Sequence, residues 1–291
     1  MKTIIHNLKP FLRDFLEGIG AEDFVLISTN YPHTGMTKLL LFQDKKPKLL
    51  IKLCTIREFA TVLKKEYDAL VSIHWKMKST VPCPIGFYDF CDFSALVETA
   101  LTGVQLETLL KKANYEEYLR LFVNWLINFH YLTHQGELPL SQYPWRPEFQ
   151  NVLCKFKEEM QECWSIKIPY SSLHGDLTPQ NILVNNSGFT VIDWEKFMES
   201  GPSLIDLYSF ITYSAIFIFG DIDLLLRDTW FSRITKRHLD KYYRCFSIKR
   251  DLTELMLPLT ILHTMESQLA PHLAAGNRPD MWMAALQQCL K

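Results

Sequence analysis

The sequence predicts a bilobal α+β fold, with a small antiparallel sheet lobe over residues 1–99 and a larger, mainly helical lobe over residues 100–291. Three observations carry this expectation. Short apolar runs between residues 24 and 99 are separated by Gly, Pro, Asn and Asp, the pattern of strands joined by turns. Beyond residue 100, apolar side chains recur mainly at three- and four-residue steps, as in helices that bury one face. A chain of 291 residues is also long enough for two lobes, each with its own core.

Taken in order, residues 8–18 read as a short helix. Phe24-Val-Leu-Ile-Ser, Thr37-Lys-Leu-Leu-Leu-Phe and Lys48-Leu-Leu-Ile-Lys-Leu read as three consecutive strands. Helical spacing follows from Arg57 to about His74, and Val81-Pro-Cys-Pro ends it. Two further strands fit residues 85–90 and 94–99. Leu106–Lys112 and Tyr115–His134 have helical periodicity, whereas residues 135–148, rich in Pro and polar groups, read as a surface loop. An amphipathic helix over residues 148–163 leads to a hairpin, Ile182–Asn185 and Thr190–Ile192 across Asn186-Ser-Gly188. Helices dominate again from Ser203 onward.

Composition narrows the function. Hydrophobic residues make up 48%, charged residues 22% and the formal net charge is -1, so no global basic field argues for nucleic acid or an anionic membrane. The most apolar stretch, Leu207–Phe219, is too short to span a bilayer and is flanked by acids, so a buried helix is expected. Seven cysteines without a C-x-x-C pair, and an N-terminus without a signal peptide, suit a cytoplasmic protein with reduced thiols. Oligomeric state is not legible.

The most informative segment is His174-Gly-Asp-Leu-Thr-Pro-Gln-Asn181, followed by Val191-Ile-Asp193-Trp-Glu. An Asp and an Asn stand five residues apart, and a second Asp follows twelve residues later. Phosphoryl transfer needs such a set: one carboxylate to orient and deprotonate a hydroxyl, and two hard oxygen ligands to hold magnesium on a nucleotide.

In these motifs the chain resembles the aminoglycoside phosphotransferase and choline kinase superfamily, small-molecule kinases with a protein-kinase-like fold. The likeness runs from about residue 24 to residue 219 and is strongest over His174–Asp206. It implies that Asp176 is the catalytic base and that Asn181 and Asp193 are Mg2+ ligands. Lys52, in Leu49-Leu-Ile-Lys, matches the strand lysine that contacts the α- and β-phosphates of ATP, and Glu66 matches the helix glutamate that steadies it. Val97, Glu98 and Thr99 mark the hinge whose main chain reads the base. Asp206 matches the aspartate that braces the catalytic loop. Gly175 stands where protein kinases usually carry the Arg that answers a phosphorylated activation loop, so the resemblance implies a small-molecule enzyme without that switch. The phosphate loop departs from the protein-kinase pattern, with Gly35 alone where three glycines are usual; this leaves GTP open beside ATP.

Blander readings apply to several residues. His174 reads as a loop lock and His130 as a core histidine. Trp230, Phe231, Tyr242, Tyr243 and Phe246 read as helical packing rather than an aromatic box for a quaternary ammonium. Lys236, Arg237, Arg244, Lys249 and Arg250 read as a solvated face. The expected acceptor is a small molecule, a sugar or an amino alcohol. The alternatives are an aminoglycoside-modifying enzyme or a nucleotide-binding pseudokinase, although the latter should lack one of Lys52, Asp176, Asn181 or Asp193.

Overall fold

The computed structural model describes residues 25–31, 35–43, 45–143, 165–186, 188–248, 252–268 and 279–289. The helices expected at 8–18 and 148–163 lie outside these residues. The chain is α+β and divides into two compact units, one running through Lys64 and including Cys83–Thr102, the other comprising Lys65–Pro82 and the chain from Gly103 onward.

The first unit is built on a five-stranded antiparallel sheet. Its strands are β1 (Val25–Tyr31), β2 (Met36–Gln43), β3 (Lys46–Cys54), β4 (Pro84–Asp89) and β5 (Ser94–Thr99), in the order β1-β2-β3-β5-β4. Alternation sorts its side chains. Leu39 and Leu41 on β2, Leu49, Ile51 and Leu53 on β3, and Ala95 and Val97 on β5 form one apolar cluster with Phe93. The opposite pleat of β3 and β5 carries Lys52, Leu96 and Glu98, which are also buried. Helix α1 (Arg57–Met77) follows β3.

In the second unit, a two-residue strand β6 (Val104–Gln105) leads into α2 (Leu106–Leu109) and then α3 (Tyr115–Leu132). Helix α2 is shorter than its periodicity suggested. The Asn114 side chain accepts from Lys111 N at 2.7 Å and donates to the Leu109 carbonyl at 3.0 Å, diverting the backbone into a turn. Residues 136–139 correct the expected surface loop, because they form strand β7 (Gly136–Pro139) against β8 (Lys167–Leu173). Beyond it Leu140 and Tyr143 are buried, while Ser141 and Gln142 between them are exposed. Strand β8 was not foreseen because Pro169 reads as a breaker. Here it sits at the centre of a sheet ordered β11-β8-β7, where β11 is Met198–Pro202, and its carbonyl accepts both the amide and the hydroxyl of Ser203.

Strands β9 (Ile182–Asn185) and β10 (Gly188–Val191) form the expected hairpin, with β6 beside β9. Helix α4 (Leu204–Tyr213) is buried at every position, as its apolar sequence requires, and continues into a π turn at Ser214–Ile218. Then come α5 (Asp223–Leu226), α6 (Trp230–Cys245), α7 (Thr253–Gln268) and α8 (Pro279–Cys289). The C-terminal aromatics are core. Phe231 stacks on Tyr115 at 4.4 Å, while Trp230 and Phe219 meet Tyr115 edge-on. Among the described residues, no helix is long and apolar enough to cross a membrane.

Candidate active site

Strand β8 delivers the chain into the motif loop at His174, and the loop is held by its backbone. Asp206, fully buried on the first turn of α4, accepts from His174 N at 2.7 Å and from Gly175 N at 3.0 Å. His174 accepts from Asp176 N through Nδ1 at 3.3 Å, which leaves Nε2–H to donate to the Ile192 carbonyl at 2.9 Å. Its ring also lies 4.6 Å from that of the buried Trp194. Both residues thus serve the roles expected of them, Asp206 as brace and His174 as lock.

Gly175 is demanded by geometry. It has φ +80°, and a Cβ there would lie 2.3 Å from the Lys196 carbonyl oxygen. No arginine fits at this point of the loop without displacing backbone.

The structure brings Asp176, Asn181 and Asp193 to one end of the β9–β10 hairpin. Asn181 Nδ2 donates to the Asp176 carbonyl at 2.9 Å, which fixes the amide and points its oxygen the other way. The hairpin register pairs Ile182 with Val191, and Ile192 N donates to the Asn181 carbonyl at 3.0 Å, so Ile192 stands opposite Asn181 and Asp193 follows one residue on. Asp193 itself has φ +60°, a conformation uncommon for a residue with a side chain and frequent where function outweighs strain. An amide oxygen and a carboxylate are hard ligands, and magnesium takes one or two of these with phosphate oxygens and water. No group of three His, Cys, Asp or Glu side chains suited to a metal occurs among the described residues. The donor set therefore fits a metal that arrives with its nucleotide, not a resident protein cage.

Two residues that meet the motif loop were missed in the sequence. Lys196 Nζ lies 3.0 Å from Asp176 Oδ2, so the expected base carries its own cation. Its only sequence signal is its place three residues after Asp193, where a lysine reads as surface charge. Glu107 on α2 accepts from the Tyr213 hydroxyl at 2.8 Å and from Gln180 Nε2 at 3.3 Å. Burial, then the Glu107 and Asp176 carboxylates, push the Tyr213 hydroxyl well above its ordinary pKa.

In the first unit, Lys52 is buried and its Nζ lies 3.7 Å from Glu98 Oε1. Register explains the contact: Lys52 faces Leu96 and Leu50 faces Glu98, so the two charges are diagonal neighbours on one pleat. Val97 is wholly buried in the sheet core. Val97 and Glu98 pair with β3 on one side and β4 on the other, and Thr99 exchanges hydrogen bonds with Cys83. Glu66, at the start of the second unit, is buried and accepts from Trp194 N at 3.0 Å. Its carboxylate holds the turn that follows Asp193. In the phosphate loop, Gly35 has φ +61° and its carbonyl accepts from Thr55 N, while residues 32–34 lie outside the described set.

Comparison with known proteins decides the family. Residues 40–232, more than half of the chain, match the model of the phosphotransferase enzyme family. The chain belongs to this family. Among solved structures, this phosphotransferase resembles a putative fructosamine-3-kinase from Haemophilus somnus 129PT, at TM-score 0.62 and 14% identity over 97% of each chain. It also resembles a thermostable mutant of aminoglycoside phosphotransferase APH(4)-Ia in complex with ADP and hygromycin B, at TM-score 0.59 and 13% identity over 95% of each chain. A third likeness is to the amicoumacin kinase hAmiN with AMP-PNP, Ca2+ and Ami, at TM-score 0.58 and 14% identity over 91% of this chain and 86% of that one. These likenesses show that the phosphotransferase shares their kinase-like fold. No curated protein sequence matches it.

Proposed function

We propose that this phosphotransferase is a small-molecule kinase that transfers the γ-phosphate of ATP to a hydroxyl of a small acceptor. The observation that carries the reading is the pinned loop with Asp176, Asn181 and Asp193 gathered at its end and Lys196 on the base.

Asp176 Oδ2 is engaged by Lys196, so its other oxygen is the one presented to an acceptor hydroxyl; it aligns that hydroxyl and takes its proton late in transfer. Asn181 and Asp193 would hold magnesium, which when bound neutralises charge on the β- and γ-phosphates. Lys52 supplies a fixed cation for the phosphates, steadied by Glu98 on the neighbouring strand. With Val97 and Glu98 flanked on both sides, the main chain that reads the base falls at the exit of β5, from Thr99 onward.

The acceptor reading follows from Glu107. Its carboxylate, steadied by Tyr213 and by Gln180 of the motif loop, adds a second anionic group beside that loop. Two carboxylates suit an acceptor rich in hydroxyls and carrying an amine, an amino alcohol or amino sugar. The similar structures named for fructosamine, hygromycin B and amicoumacin are in keeping with this. Of the C-terminal aromatics that might have caged a quaternary ammonium, Phe231, Tyr242 and Tyr243 are buried, and the half-buried Trp230 and Phe246 pack against the core.

The test is magnesium-dependent turnover of ATP, alone and with a panel of amino sugars, amino alcohols, choline and neutral sugars. Asp176→Asn should lower kcat by about 10²-fold or more, as expected for loss of a general base, with an unchanged unfolding profile. Full activity in that variant would remove Asp176 from the chemistry, and GTP outcompeting ATP would reassign the nucleotide.

A further inference from the structure

The peptide unit joining Gly175 to Asp176 sets the direction in which the Asp176 side chain leaves the backbone. Glycine at φ +80° has no Cβ to restrict its ψ, so this peptide plane is free to flip unless both its ends are held. The amide end is held by His174 Nδ1. The carbonyl end points away from that ring, toward α7.

There it meets His263. This histidine is buried, with Nε2 3.4 Å from the Gly175 carbonyl oxygen and Nδ1 3.0 Å from the Tyr143 hydroxyl. A carbonyl only accepts, so Nε2 carries the proton and Nδ1 accepts from Tyr143. The donors and acceptors form one consistent chain from hydroxyl to ring to peptide. Tyr143 is itself buried, and the Met198 sulfur lies 3.7 Å from the same hydroxyl.

We infer that His263, with Tyr143 fixing its tautomer, is a positioning residue that locks the Gly175–Asp176 peptide and so aims the Asp176 carboxylate. The inference rests on the proposed role of Asp176. Asp206 holds the two amides before this peptide, and Asn181 and Thr178 hold the Asp176 carbonyl after it; His263 closes the remaining carbonyl. Burial lowers the His263 pKa, and the charges that face it are Asp206, Asp176 and Lys196, so the ring stays in the neutral form this chain requires.

The experiment measures magnesium-ATP turnover with water as acceptor in wild type, His263→Leu, His263→Gln, Tyr143→Phe and Asp176→Asn. Leucine fills the space without a donor, whereas a glutamine amide can place a donor near the position of Nε2. Misaiming by a fraction of an ångström predicts that His263→Leu lowers kcat by about 10- to 100-fold with KM for ATP within about twofold. Glutamine should recover most of the loss, and Tyr143→Phe should fall between wild type and His263→Leu. Wild-type kcat in His263→Leu overturns the inference. So does a glutamine variant no better than leucine, or a loss divided evenly between kcat and KM. Asp176→Asn separates the two proposals: if it turns over like wild type, the role of Asp176 fails and the inference with it, whereas an inactive Asp176→Asn beside a fully active His263→Leu removes only the role of His263.

Discussion

Replacing Asp206 by asparagine tests how the loop is held. The Asp206 carboxylate has no solvent exposure and accepts two backbone amides, from His174 at 2.7 Å and Gly175 at 3.0 Å, with His130 Nε2 3.8 Å away. Hydrogen bonds to a charged acceptor contribute roughly 1.5–3 kcal/mol each. Asparagine keeps one oxygen and turns its NH2 toward the other amide, so one bond is lost outright and the survivor is weakened. The expected loss of stability is roughly 2–4 kcal/mol. Urea unfolding should show it as a lower midpoint with an unchanged m-value. Activity at saturating nucleotide should fall as well, because the loop that carries Asp176 is loosened. A stability change below about 0.5 kcal/mol, the size of an ordinary surface substitution, would refute the bracing argument.

Two more outcomes follow from the same geometry. Gly175→Ala places a Cβ 2.3 Å from the Lys196 carbonyl at φ +80°; the left-handed backbone alone costs roughly 1–2 kcal/mol and the contact adds to it. Gly188→Ala, at φ +120° with nothing within 4 Å, should show only the backbone cost in the same denaturation series, so equal losses in the two variants would discount the contact. Stability should also depend on pH through His130 and His263. Burial holds both rings below the ordinary 6.5, so the unfolded chain takes up protons that the folded chain refuses. Stability is therefore complete above pH 6.5 and declines as pH falls below it; urea midpoints at pH 8 and pH 5.5 measure the decline, and His263→Leu should make it shallower.

The sequence was most legible where chemistry compresses into a short span. The eight residues from His174 to Asn181, the hairpin and Asp193 announce phosphoryl transfer because spacing along one loop and one hairpin fixes their geometry. Lys52 stood out as a charge inside an apolar run. Its neighbour Glu98 could not be paired with it, because the contact depends on a diagonal between β3 and β5 that only the register supplies. Strand β8 was hidden by Pro169, whose missing amide argues against a central strand until Ser203 is seen bonding to its carbonyl. Helix α2 was overextended because periodicity continued past Leu109, where the Asn114 side chain had already taken over the backbone. Lys196 and His263 were lost for opposite reasons: one sits among acids and reads as surface charge, the other lies 88 residues from the carbonyl it meets.

The central strand β8 has one last consequence. It leads straight into His174, while its neighbour β11, paired to it through Leu173 and Met198, leads through Ser203 into Asp206. The loop and the carboxylate that grips it therefore leave two strands of one antiparallel ladder. Shear between them would have to break the ladder first, so this part of the molecule behaves as a stator.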